Sequence, residues 1–283
     1  MTERVTVTGK MMREALDSLG IEKNSIILTH SSLKALGNIE GGAMGVINAL
    51  SDTVPEGTLV FPTLSQKNWS TVFEDWHLDR PSDVGLISET FRKLDGAVRS
   101  DNPTHSVSAK GPLAEDIAAH HNEGKERWGL FGEYCFCENS PWQRMYESRS
   151  RYGVKAYVIF WGVTMMYNTL KHFSEYRFVE RLLSSIQNEE KREEIRSYLY
   201  HYPVPRGTTE ETMRWPFYSS EKFQEVLLNE GIAKRIPLGE GELIVCDIYD
   251  SVTRVDKALW EEPEAMLKPH MYEWVLRARA AME

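Results

Sequence analysis

"VKAYVIFWGV" (154–163) is the stretch on which the fold turns. Its apolar residues run almost without a break, many are β-branched or aromatic, and a glycine stands near its end. A short run of this kind reads as a strand buried on both faces, central in a parallel or mixed sheet. The longest apolar stretch, "AYVIFWGVTMMY" (156–167), falls short of the roughly 20 residues needed to span a bilayer.

The elements upstream fit such a sheet. "SIILTH" (25–30) and "EGTLVFPT" (56–63) read as buried strands, and "SVSAKG" (106–111) as another. Between them, "TGKMMREALDSLG" (8–20) has a capping threonine and a glycine stop, so it reads as a helix. "AMGVINALSDTV", "VGLISETFRKL", "PLAEDIAAHH" and "SPWQRMYESRS" are further helices, and "NWSTVFEDWHLDRPSD" (68–83) is an aromatic loop. Downstream, residues 168–199 read as one long helix or two. "MRWPFY" (213–218) and "ELIVCDIY" (242–249) are expected strands, "EKFQEVLLNEG" a helix, and the C-terminus helical. Alternating strands and helices define an α/β chain. No repeat, low-complexity tract or linker divides it, so residues 1–283 are expected to form a single domain.

Composition narrows the function. The 283 residues are 41% hydrophobic and 27% charged, enough for a sizeable core under a soluble surface. A formal charge of −9 argues against nucleic acid or an anionic membrane as partner. Three cysteines (Cys135, Cys137 and Cys246) form neither a zinc pattern nor an even disulfide framework, which fits a reducing compartment. The N-terminus lacks the form of a signal peptide. A cytoplasmic location is expected, with no metal.

Four constellations are candidate sites. "LTHSSLKALGNIEGG" follows a strand, and in open α/β sheets ligands bind there. Ser31, Ser32 and the glycine turn suit an anion, or they make an ordinary strand-to-helix connection. "RSDNPTHSVSAKG" clusters Arg99, Ser100, Asn102, His105 and Ser106, which bind a ligand or satisfy a tight turn. His120–His121 sits at a helix end, where imidazole is welcome for dipole reasons. Finally, "NTLKHFSEYR" (168–177) places His172 and Glu175 three apart. On a helix they share a face, so a carboxylate can hold an imidazole that takes a proton near neutral pH. The same spacing also describes a solvated surface pair. No G-x-S-x-G nucleophile motif accompanies it.

Taken in order, several stretches resemble the aminoglycoside 3-N-acetyltransferase family, the antibiotic acetyltransferases that lack the GNAT fold. They are "THSSLKALGNIEGGAMGVINAL", "EGTLVFPTLS", "RPSDVGLISETFRKLDGAVRSDNPTHSVSAKGPLA", "FGEYCFCENSPWQRMY" and "WGVTMMYNTLKHFSEYR", spanning about residues 25–177. The resemblance implies a three-layer α/β/α sandwich with a central mixed sheet, and an acetyl-CoA-dependent N-acetyltransferase. His172 matches the family's general base and Glu175 its acidic neighbour. His30, Ser31, Ser32, Leu33, Lys34 and Gly37, with Arg99, Ser100, Asn102 and Ser106, fall in regions that line the coenzyme cleft. His105 lies where the family varies; it joins Asp83, Met166 and Tyr167 as a candidate substrate contact.

The departures lie on the substrate side. Met165–Met166–Tyr167 stands where many relatives carry an acidic or amide residue, and the loop between Ser65 and Pro81 is short and aromatic. Such a rim suits an amino sugar or another small amine better than a polycationic antibiotic. Roughly residues 178–205 look like a helical insertion that serves either as a lid or a subunit contact in a homo-oligomer, or as an ordinary surface helix packed by its apolar face.

Overall fold

The computed structural model describes residues 4–65, 73–205, 207–209 and 211–283; residues 66–72 of the aromatic-loop region lie outside them. The seven strands of the main sheet are β1 (Ile26–Ser31), β2 (Thr58–Pro62), β3 (Val98–Arg99), β4 (Val107–Lys110), β5 (Ala156–Trp161), β6 (Ala233–Leu238) and β7 (Gly241–Asp247). Their order across the sheet is β3-β4-β2-β1-β5-β7-β6. β1 pairs in parallel with β2 and with β5, and the remaining pairings are antiparallel, so the sheet is mixed. β5, the strand of the opening stretch, is interior, and β1 beside it is the middle strand.

Residue alternation along these strands builds two cores. Ile26, Leu28, Val158 and Phe160 point to one face and Ile27, Ile159 and Trp161 to the other, all fully buried. A side chain of this size contributes about 1.5–3 kcal/mol on burial, so a strand apolar on both faces is fixed from both sides. Helices α1 (Gly9–Asp17), α2 (Gly42–Thr53) and α3 (Leu86–Arg92) cover the Trp161 face. α4 (Leu170–Ser184), α5 (Glu189–Ser197), α6 (Ser220–Asn229), α7 (Ile248–Glu261) and α8 (Pro269–Ala280) cover the Phe160 face. The result is the expected three-layer α/β/α sandwich. Among the described residues, no helix is long and apolar enough to cross a membrane.

Two expectations need correction. "MRWPFY" is not a strand: Tyr218 makes one isolated bridge to Leu267, while Trp215 and Tyr218 are buried in the core. The edge strand β6, "AKRIPL", was not expected. Two cations and a proline mask it in the sequence, and those are the residues that protect a sheet edge. The 168–199 stretch forms two helices, and Asn188 caps the second by accepting the Lys191 N–H. Within the 178–205 segment, α5 packs on α8, where the Trp274 indole N–H donates to Ile195 O at 2.9 Å.

Candidate active site

The carboxyl ends of the three mutually parallel strands open onto a cavity of about 1420 Å³. β1 supplies Thr29, His30 and Ser31, with Ser32 just beyond; Pro62 and Leu64 come from the end of β2, and Gly162 to Thr164 from the end of β5. Gly162 has φ +63°, and a Cβ there would lie 2.9 Å from Ala35 Cβ and 3.0 Å from Ser32 O. Only glycine lets the β5 turn approach the β1 loop this closely. The chain then makes a tight turn over Met165–Tyr167 and enters α4. Asn168 Oδ1 accepts the Leu170 N–H at 3.1 Å, and Gln224 Oε1 accepts the Met165 N–H at 2.9 Å.

His172 and Glu175 lie one turn into α4. His172 Nδ1 is 2.8 Å from Glu175 Oε2, and the Trp215 indole N–H donates to the same oxygen at 3.2 Å. The Glu175 side chain is fully buried, while that of His172 keeps 17% exposure. Phe131 and Phe217 pack edge-on to the imidazole at 4.8 and 5.7 Å. This setting tunes both groups. Burial, aided by the nearby Lys171 ammonium, pushes the His172 imidazolium well below its ordinary value. Burial pushes the Glu175 carboxyl up to about 8, against the opposing pull of Lys171 and Trp215. Both shifts have one cause: a dry site disfavours net charge. With Glu175 ionised, its carboxylate accepts the Nδ1–H and leaves the His172 Nε2 lone pair as the ring's available acceptor.

The other candidates divide in two groups. His30, Ser31, Ser32, His105, Met166 and Tyr167 line the cavity. Leu33 and Lys34 lie in the short Leu33–Leu36 helix just behind it, with Gly37 following, and Asp83 adjoins the lining residue Val84 without lining the cavity itself. Arg99, Ser100, Asn102 and Ser106 also stand outside the lining and hold loops together. The Arg99 guanidinium donates to the carbonyls of Leu78, Arg80 and Thr63, to Ser65 Oγ and to Ser106 Oγ. Ser100 Oγ accepts the Val107 N–H and meets His121 Nδ1 at 2.9 Å. Asn102 Oδ1 accepts the backbone N–H groups of Thr104 and His105.

The sequence reading missed Lys171, Trp215 and the whole C-terminal wall. The cavity is bordered by the starts of three helices: α4 with Lys171, α6 with Ser219, Ser220, Glu221 and Lys222, and α8 with Lys268 and Pro269. Helix N-termini carry partial positive charge, so this end of the cavity favours anions. Among the described residues, no group of three or more His, Cys, Asp or Glu side chains is placed to hold a metal.

Fold and site together define a three-layer α/β/α protein with a buried histidine–carboxylate pair at the ligand edge of its sheet. Residues 28–259 match the aminoglycoside 3-N-acetyltransferase family model, and the chain belongs to that family. It is 31% identical over 192 residues to the SPbeta prophage-derived aminoglycoside N(3')-acetyltransferase-like protein YokD of Bacillus subtilis, a match covering 60% of this chain and 65% of that protein. The fold resembles aminoglycoside acetyltransferase AAC(3)-IVa in its apoenzyme form, with TM-score 0.67, 23% identity and coverage of 98% of this chain and 99% of that one. It also resembles AAC-IIIb in its binary complex with CoASH, with TM-score 0.63, 19% identity and coverage of 93% and 99%.

Proposed function

We propose that the chain is an acetyl-CoA-dependent N-acetyltransferase acting on the amine of an amino sugar or similar small acceptor. The observation that carries this reading is the buried His172–Glu175 pair on the cavity wall, in a chain of this family. Two buried atoms of the lining, Thr29 Oγ1 and His30 Nε2, have no hydrogen-bond partner among the described residues. With Ser31 and Ser32 they suit the amides of a pantetheine arm, and the three helix starts suit its phosphates. The coenzyme, when bound, supplies an already activated thioester, so the protein needs no nucleophile of its own. His172 takes a proton from the acceptor nitrogen, Glu175 holds the ring in the required tautomer, and Trp215 holds Glu175. Arg99, Ser100, Asn102 and Ser106 act at one remove, by fixing the loops around the cavity. A screen of amines with acetyl-CoA, reading free thiol, tests the reading. Coenzyme binding without thiol release on any amine would make the chain a non-catalytic binding protein instead.

The family name supports a second reading, aminoglycoside resistance. The ionisable lining weighs against it. Its described residues include Lys171, Lys222 and Lys268 as cations and only Glu221 and Glu175 as carboxylates, and Glu175 is occupied by His172 and Trp215. A polycationic drug needs uncommitted carboxylates. The expected kcat/KM for aminoglycosides is at least about tenfold below that for a neutral amino sugar. Expression in a drug-sensitive host is expected to leave tolerance unchanged; a clear rise would favour the resistance reading.

Lys171 offers a pH test of the base. Its ammonium favours the carboxylate of Glu175 and disfavours the imidazolium of His172, so it lowers both pKa values. Lys171→Met should therefore raise both and move the ascending limb of the kcat/KM profile upward by roughly half a pH unit or more. The acceptor for this measurement must be an amine that stays neutral across the range. A limb that stays in place, or moves down, contradicts the base assignment.

A further inference from the structure

His105 borders the same cavity as His172, and no step above uses it. It sits on the loop between β3 and β4, its ring centroid 6.1 Å from that of His172 and nearly perpendicular to it. Phe131 packs against both imidazoles, at 4.9 Å from His105 and 4.8 Å from His172. The residue is anchored at both backbone groups: its N–H donates to Asn102 Oδ1 at 2.8 Å, and its carbonyl accepts the Trp142 indole N–H at 3.1 Å.

Hydrogen bonding fixes the tautomer. His105 Nδ1 is 2.9 Å from Thr104 Oγ1. That hydroxyl has two carbonyl acceptors in reach, Asn102 Oδ1 at 3.2 Å and Phe131 O at 3.4 Å. Its single proton goes to a carbonyl, and its lone pair accepts Nδ1–H from the ring. Nε2 of His105 is thereby left as an acceptor. The ring is neutral at neutral pH, because burial, with His172 and His121 facing it, pushes the imidazolium well below its ordinary value. His121 offers no alternative partner: it is fully buried, with Nδ1 on Ser100 Oγ and its Nε2–H on Cys135 O.

Two imidazoles of fixed tautomer thus border one cavity, each with a lone pair on Nε2 when Glu175 is ionised. One nitrogen can donate to two acceptors up to about 5 Å apart. We propose that His105 determines specificity for primary amines: with His172 it accepts the two N–H bonds of the acceptor nitrogen and so aims the nitrogen's lone pair away from both rings. A secondary amine or an alcohol has one such bond and leaves one buried imidazole unpaired, which is how a site rejects a near-isostere. This inference rests on the acetyltransferase reading.

The test compares a primary amine acceptor with its N-methyl analogue in wild type, His105→Phe and His105→Gln. Turnover is read with acetyl-CoA, acceptor binding by calorimetry without coenzyme, and folding by thermal melting. His105→Phe keeps a ring and removes the lone pair; Gln restores an acceptor oxygen and covers the case in which Phe does not fold. The expected result is a fall of about tenfold in the primary-to-N-methyl kcat/KM ratio and a similar weakening of primary-amine binding in His105→Phe, largely restored in His105→Gln. A ratio unchanged in both variants, or equal losses on both acceptors, overturns the role of His105 and leaves the acetyltransferase reading standing. Wild-type protein that turns over no amine overturns both.

Discussion

Replacing His172 with alanine is expected to lower kcat/KM by at least about 100-fold, a loss of about 2.7 kcal/mol of transition-state stabilisation, while the protein keeps its fold. The fold should survive because His172 is only partly buried and its ring contributes contacts at a cavity wall, not within either core. The chemistry should suffer because an amine must shed a proton as it attacks a thioester, and among the described residues His172 is the one cavity imidazole backed by a carboxylate. Coenzyme binding should be nearly unchanged, since the lone pair is needed for proton transfer and not for ground-state affinity. Steady-state kinetics, circular dichroism and coenzyme calorimetry on one preparation separate these outcomes. Turnover within a fewfold of wild type would sink the assignment of His172 as base. Loss of coenzyme binding in step with turnover would make it a binding residue.

That pair was the most legible part of the site, because its geometry is local. A spacing of three on a helix brings two side chains to one face whatever surrounds them, and Nδ1 and Oε2 meet at 2.8 Å. β1, β2 and β5 were legible for a related reason: a strand sandwiched between two helical layers is apolar on both faces along most of its length, and polar residues enter β1 only where it meets the cavity. Trp215 was not legible as a partner of Glu175. It lies 40 residues further on, and only the packing of the 213–218 segment against α4 brings its indole there. The large residues of "MRWPFY" imitate a strand, yet the two that plug the core, Trp215 and Tyr218, lie three apart around a proline and would point to opposite faces of a strand. The Arg99 cluster shows the opposite failure. Its residues do come together, but its donors are taken by Thr63 O, Leu78 O, Arg80 O and two serine hydroxyls of the chain itself. Composition could reveal the cluster and not the direction in which its hydrogen bonds run.

Glu175→Gln is expected to move activity and stability in opposite directions. Gln Oε1 in the place of Oε2 can still accept both the Trp215 N–H and the His172 Nδ1–H, but the amide carries no charge to stabilise the imidazolium that forms when His172 takes a proton. The base keeps its tautomer but loses a charge-assisted partner worth about 2 kcal/mol, so a kcat at least about 30-fold lower is expected. Stability follows from linkage. Burial raises the Glu175 carboxyl from its ordinary 4.5 to about 8, so the folded state holds that proton more tightly than the unfolded chain. The resulting stabilisation is complete below pH 4.5 and is lost as pH rises toward 8. His172 works in the opposite sense at the acid end, because its lowered pKa makes the folded state resist protonation as pH falls below 6.5. Glutamine has no proton to lose. The melting temperature of Glu175→Gln relative to wild type should therefore increase between pH 5 and pH 8.5, the range over which wild type must ionise a buried carboxyl. A difference independent of pH would show that Glu175 titrates normally in the folded state. Retention of wild-type kcat would show that the charge of the carboxylate does not support the base. The combination of higher stability at alkaline pH and lower turnover would mean that the fold carries an unfavourable buried carboxylate for the sake of the imidazolium it stabilises.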